Sequence, residues 1–228
     1  MAFGNSQPIP APLAAEQTFI QRVYQWMALG LTMTGFVALW ASRSVAMINM
    51  LSGGMFWILA LAEIGLVIWL SGSIMKISAT AASIGFLVYS ALNGLTLSFI
   101  FLVYTRASIA STFFITAGTF AAVSFYGWTT HRDLTGFRGF FTMALIGFLI
   151  ASLVNIFLRS PGLYWGLSYF GVLLFVGLTA YDVQQLKAIQ QSGVAPTDQV
   201  AIMGALKLYL DFINLFIMLL RILGRRRD

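Results

Sequence analysis

The stretch Gly177-Leu178-Thr179-Ala180-Tyr181-Asp182-Val183-Gln184 sets an acid near the end of a run that is apolar from Leu163 onward. A run of that length reads as a membrane-spanning helix. A charged carboxylate at such depth costs about 3 kcal/mol or more, so it faces the bundle interior and needs a partner there. A second lone acid, Asp211, stands in Leu208-Tyr209-Leu210-Asp211-Phe212-Ile213-Asn214-Leu215-Phe216, the middle of the next and last apolar segment. The two segments are joined by one short polar connection, Gln190 to Gln199, with Gly193 and Pro196 as breakers. Helices joined in this way are antiparallel neighbours, and their acids can meet.

The composition makes the membrane reading general. Of 228 residues, 59% are apolar and only 9% charged, and the mean hydropathy is +0.87. These values exclude an ordinary soluble domain. Hydropathy divides the chain into seven segments: Val23–Ala41, Met55–Met75, Ile77–Val103, Ile109–Trp128, Phe140–Leu158, Leu163–Lys187 and Val200–Leu223. The expected fold is therefore all-α and polytopic, a single domain over residues 22–224. Residues 1–21 read as a flexible N-terminal tail and residues 225–228 as a basic C-terminal one. The apolar run after Arg22 begins too late and continues too long for a signal peptide.

Net charge is +6, but the basic residues are scattered singly between apolar runs, apart from Arg225-Arg226-Arg227. This pattern points to anionic lipid headgroups and away from nucleic acid. With seven spans the termini lie on opposite sides. The internal loops, with Arg22, Lys76, Arg132, Arg138 and Lys187 on one side, favour a cytoplasmic N-terminus, whereas the arginine tail argues the reverse. We place the N-terminus in the cytoplasm.

Three acids fall at membrane depth: Glu63, Asp182 and Asp211. Two carboxylates in contact in a low dielectric cannot both ionise cheaply, so one keeps its proton and the pair titrates as a unit. When ionised, such a pair is a hard-oxygen site for a cation such as Ca²⁺. Calcium wants about six to eight oxygens, so two acids make a weak, transient site. Lys76, past the second segment, is a candidate cation to hold one aspartate. In the third segment Thr80, Ser83, Ser90 and Asn93 share one face, which either lines a wet path or bonds back to its own helix. A structural role for the acids, bonded to Tyr181, Tyr209, Asn214 or each other, is the alternative to an ion path. Enzyme chemistry is not expected. The sole histidine, His131, lies in a loop, the chain has no cysteine, and no phosphate loop, zinc motif or EF-hand pattern occurs. Two membrane aspartates would also suit an intramembrane protease, a minor reading.

The tyrosine-aspartate stretch resembles the signature of the Bax inhibitor-1 (TMBIM) family. Phe19-Ile20-Gln21-Arg22-Val23-Tyr24, Asn93-Gly94-Leu95-Thr96-Leu97-Ser98 and Asp211 extend the likeness over nearly the whole chain. The resemblance implies a seven-helix bundle with the last helix surrounded by the other six. It also implies a pH-sensitive calcium leak gated by Asp182 and Asp211, with Glu63 as a family feature of the second helix. The arginine latch of some bacterial relatives has no clear counterpart. Lys76 could stand in its place but lacks the fork geometry of a guanidinium. The expected function is thus a pH-gated calcium leak of a bacterial inner membrane, with Asp182 and Asp211 as gate and Glu63 and Asn93 along the ion path. The rival expectation is a non-transporting protein that modulates a membrane protease or stress response through its helices and tail.

Overall fold

The computed structural model describes residues 11–192 and 197–227. Seven long helices account for most of them: α1 Ala11–Ala41, α2 Phe56–Ser73, α3 Ala79–Leu97, α4 Arg106–Thr129, α5 Arg138–Leu158, α6 Pro161–Gln191 and α7 Asp198–Leu223. The helix starts follow local chemistry. Ser78, Thr105 and Ser160 each accept a hydrogen bond from a first-turn amide of α3, α4 and α6, and Pro161 opens α6 where its missing N–H is not needed. A short helix, Val45–Met50, and a π turn, Leu51–Met55, carry the chain from α1 into α2.

Six of the described helical stretches are long and apolar enough to cross a membrane, from Gly53–Ser73 through Asp198–Leu223. The chain is a multi-pass membrane protein. The seventh long helix, α1, is more polar, with Arg22, Gln25, Thr32 and Thr34 along it. It nevertheless buries a single stripe, Phe19, Val23, Met27, Gly30, Thr34, Ala38 and Ala41, at steps of three and four residues.

Burial identifies the centre. In α7, 67% of the most apolar window is buried, against 6% in α2 and in α5. Helices α1, α3, α4 and α6 pack directly along α7, while α2 leans on α3 and α5 on α6. The main core follows this order, with Phe19, Val23 and Phe86 meeting Ile202, Leu206, Tyr209 and Phe212 of α7. A smaller cluster joins Phe148 of α5 and Leu174 of α6 to Leu215 and Met218. Small residues set the closest approaches, as expected where lipid removes the hydrophobic drive between helices. A Cβ built on Gly127 of α4 would lie 2.5 Å from the Ala180 carbonyl oxygen of α6, and one on Gly94 of α3 would lie 2.7 Å from that of Thr34 in α1.

The expected tails differ from the observed ends. Ala11 to Gln21, assigned to a flexible tail, belong to α1, and Phe19 is fully buried there. Arg22 is ion-paired with Asp198, which ties the start of α1 to the start of α7. At the other end, Arg225 to Arg227 are strapped to the α3–α4 turn. Thr105 N–H donates to the Arg225 carbonyl at 2.9 Å, and the Arg227 guanidinium and N–H donate to Phe101 and Val103 carbonyls, both at 2.9 Å. Residues 1–10 of the expected tail, the breakers Gly193 and Pro196, and Asp228 lie outside the described residues.

Gly127→Ala is expected to lower the unfolding temperature in detergent by overpacking the α4–α6 contact, a cost of about 1–3 kcal/mol. Gly118→Ala on the same helix meets nothing within 4 Å and is expected to leave the temperature unchanged or raise it slightly.

Candidate functional site

Asp182 stands nine residues before the end of α6, and Lys207 nine residues after the start of α7. The two helices are antiparallel and the chain returns between their ends, so both residues lie level, about 13 Å from the helix ends. Asp211, one turn beyond Lys207, shares its face of α7. The three side chains converge. Lys207 Nζ sits 3.7 Å from Asp182 Oδ1, and the Asp182 and Asp211 carboxyls are neighbours across the α6–α7 contact. Both acids are buried, Asp182 at 9% and Asp211 at 5% exposure, whereas the Lys207 side chain is half exposed. Asp211 Oδ2 is buried without a donor, and such an orphaned polar atom is costly in a dry setting.

The frame around the cluster is polar at its loop end. Gln184, closing the Tyr181-Asp182 stretch, accepts from Leu134 N–H and donates to the Arg132 carbonyl, both at 2.8 Å. Lys187 donates to the Trp128 carbonyl at 2.6 Å and lies over that indole. These bonds fix the depth of α6 against the α4–α5 connection. A groove of about 370 Å³ between α5 and α6, lined by Arg138, Thr142, Tyr181 and Gln185, reaches Lys207.

The other acid at depth belongs to a separate centre. Glu63 accepts from Thr96 Oγ1 at 2.8 Å and Asn93 Nδ2 at 3.3 Å, and Asn93 Oδ1 accepts from the Tyr209 hydroxyl at 3.2 Å. Tyr209 also pairs with Thr34 Oγ1 at 2.6 Å, and Thr34 can donate to the Ser90 carbonyl at 2.8 Å. The two hydroxyl protons thus face three acceptors, so the chain of bonds admits more than one arrangement. Tyr209 and Asp211 are two residues apart, about 200° around the helix. Glu63 and Asn93 therefore lie across α7 from the aspartates.

The expected third-segment stripe divides. Ser83 and Ser90 side chains bond back to Ala79 and Phe86 carbonyls, whereas the Asn93 side chain reaches α2 and α7. Of the partners named for a structural role of the aspartates, three have contacts of their own, and the pairing of the two acids with each other is the one that remains. Asn214 donates to the Leu210 carbonyl, Tyr181 packs on Phe141, and Tyr209 bonds Asn93 and Thr34.

The ammonium beside Asp182 is that of Lys207 and not of Lys76. Lys76 follows the end of α2 at the level of the loops, exposed, on a helix that packs against α3 and away from α6. Lys207 was readable in principle, because it mirrors Asp182 across the connecting loop and precedes Asp211 by one helical turn.

The family described as "Inhibitor of apoptosis-promoting Bax1" matches residues 16–228, from early α1 to the arginine strap. The chain belongs to the Bax inhibitor-1 family. Among its bacterial relatives, the "Inner membrane protein YbhL" of Escherichia coli K12 is 52% identical over 231 residues, covering 99% of both chains. An uncharacterized protein of Borreliella burgdorferi is 45% identical over 92% of this chain and 93% of its own. One from Deinococcus radiodurans is 41% identical over 93% of this chain and 92% of its own. In this Bax inhibitor-1 chain the residues of both polar centres fall inside the matched region.

Tyr209→Phe removes a fully buried hydroxyl and leaves Asn93 Oδ1 without its donor. It is expected to destabilise the protein by about 0.5–2 kcal/mol, read as a lower unfolding temperature in detergent.

Proposed function

We propose that this chain is a pH-sensitive calcium leak of the bacterial inner membrane, gated by one proton held between Asp182 and Asp211. The carrying observation is the burial of two neighbouring carboxyls beside a single ammonium, Lys207, at 3.7 Å from one of them. Two ionised acids beside one lysine leave a net negative charge in a dry site, a costly state. With one proton between them the cluster is neutral. Loss of that proton uncovers a charge for which Ca²⁺ is suited, and the two carboxyls supply only part of its oxygen shell, as transit requires.

The same reading takes α1 as a seventh span. Its buried stripe from Phe19 to Ala41 covers about 33 Å, close to the thickness of the hydrocarbon core. Helix α7 then stands at the centre, lined by α1, α3, α4 and α6 and closed off by α2 and α5. The inner-membrane location is supported by the printed name of the Escherichia coli relative. With the N-terminus in the cytoplasm, the groove beside Lys207 opens toward that side, and Glu63 with Asn93 offers a second polar station along the path.

In proteoliposomes, Asp182→Asn and Asp211→Asn are expected to abolish the pH dependence of calcium flux. Lys207→Gln removes a positive charge beside the shared proton, so that proton is held more tightly and the flux profile moves to higher pH. An unchanged profile in both asparagine variants contradicts the gate. No flux in wild-type vesicles returns the reading to a protein that acts on a membrane protease.

A further inference from the structure

At the end of the bundle opposite the aspartates, a cavity of about 740 Å³ opens among the C-terminal ends of α5 and α7 and the N-terminal end of α6. Arg159, Arg221 and Arg226 line it, together with Ser160, Tyr164 and Trp165, and among the described residues no carboxylate does. The ion pairs formed among the described residues, Arg22 with Asp198 and Lys207 with Asp182, lie toward the other end. Three arginines lining one cavity, with no carboxylate of the described residues among them, leave it strongly positive and suit it to an anion.

Three features argue that the cluster is built and not accidental. First, Arg159 ends α5 with φ 50° and ψ 31°, the left-handed region, and is the non-glycine residue with positive φ among those described. That position favours glycine or asparagine, and a larger side chain is strained there. Strain of this sort at a cavity wall points to function. Secondly, the Arg221 guanidinium and the Arg226 backbone are held. Arg221 lies over the Tyr164 ring at 5.3 Å, and Arg226 sits in the strap that pairs it with Tyr104. Thirdly, the first turn of α6, capped by Ser160, adds its amide dipole.

The rim decides which anion. Trp165 is 45% exposed and stacks on Tyr169, itself exposed, as in the aromatic belts that sit at headgroup level. A small soluble anion would have no use for that apolar edge. We propose that the cavity binds the headgroup phosphate of an anionic phospholipid, with its glycerol and acyl portion lying along Trp165.

The full-length protein in detergent, titrated with phosphatidylglycerol, phosphatidylcholine or inorganic phosphate, tests this by binding affinity and unfolding temperature. Phosphatidylglycerol is expected to bind saturably and raise the unfolding temperature, whereas phosphatidylcholine does not. Arg159→Gly and Arg221→Gln should each weaken phosphatidylglycerol binding by about fivefold. Arg159→Gly relieves the backbone strain, so its lipid-free protein should be at least as stable as wild type, which separates lost binding from lost folding. Arg43→Gln, on the same membrane face but away from the cavity, should bind as wild type. Equal response to phosphatidylcholine, unaltered affinity in both cavity variants, or an equal loss in Arg43→Gln overturns the proposal. Protection by inorganic phosphate alone overturns the lipid as its source.

Discussion

Placing Asp182 and Asp211 against each other, out of water, constrains the rest of the bundle. Charge at that depth must be balanced by groups within reach, so α6 and α7 are held in one register, with Lys207 level with Asp182 and Asp211 one turn further in. A slide of one helix by a single turn would set the ammonium beside leucines and leave the acid alone. The anchoring of α6 follows from this need. Gly127 lets α4 come against Ala180, two residues from the acid, while Lys187 binds the last turn of α4 and Gln184 the backbone that follows it. The tyrosine-aspartate stretch thus combines the acid with the residues that fix its depth.

Helix α7 carries polar residues in two directions although it is the most buried helix of the described chain. Toward α6 it offers Lys207 and Asp211. Toward α1 and α3 it offers Tyr209, whose hydroxyl links Thr34 and Asn93 and, through Asn93, Glu63. Both faces meet polar side chains on other helices, so separating α7 from its neighbours would strand polar groups on each side. Interior polar groups of this kind add little net stability, and they make one arrangement of helices strongly preferred over others.

Much of this was legible in the sequence, because apolar run length is a strong signal and the loops are short. The ends of α2 to α7 fall within a few residues of the segments read from hydropathy, except that α3 stops at Leu97 and a short separate helix, Ile100–Val103, completes that segment. Asp182 and Asp211 stood out because an acid in an apolar run has few reasons to be there. The N-terminal boundary was missed because residues 11–21 are polar enough to resemble a tail, and their helix is stabilised by the burial of Phe19, a long-range contact. Lys207 was passed over because a lysine near a span end reads as one that snorkels to the interface, and half of its side chain does remain exposed. Only the level packing of α6 and α7 turns it toward Asp182. Lys76 looked suitable by its place in the sequence, but α2 lies outside α3, away from the aspartates. The arginine cavity joins residues 159, 221 and 226 from three chain segments, and no spacing in the sequence announces it.

Infrared difference spectroscopy reads directly the proton proposed to be shared by the two aspartates. Membrane-embedded wild-type protein, stepped in pH across neutrality, should show the carbonyl stretch of one protonated carboxyl disappearing as an ionised carboxylate band grows. That signal should be absent when both aspartates are replaced by asparagine. A spectrum in which both carboxyls are already ionised on the acid side of neutrality, or one identical in the double variant, would contradict the shared proton and the gate built on it.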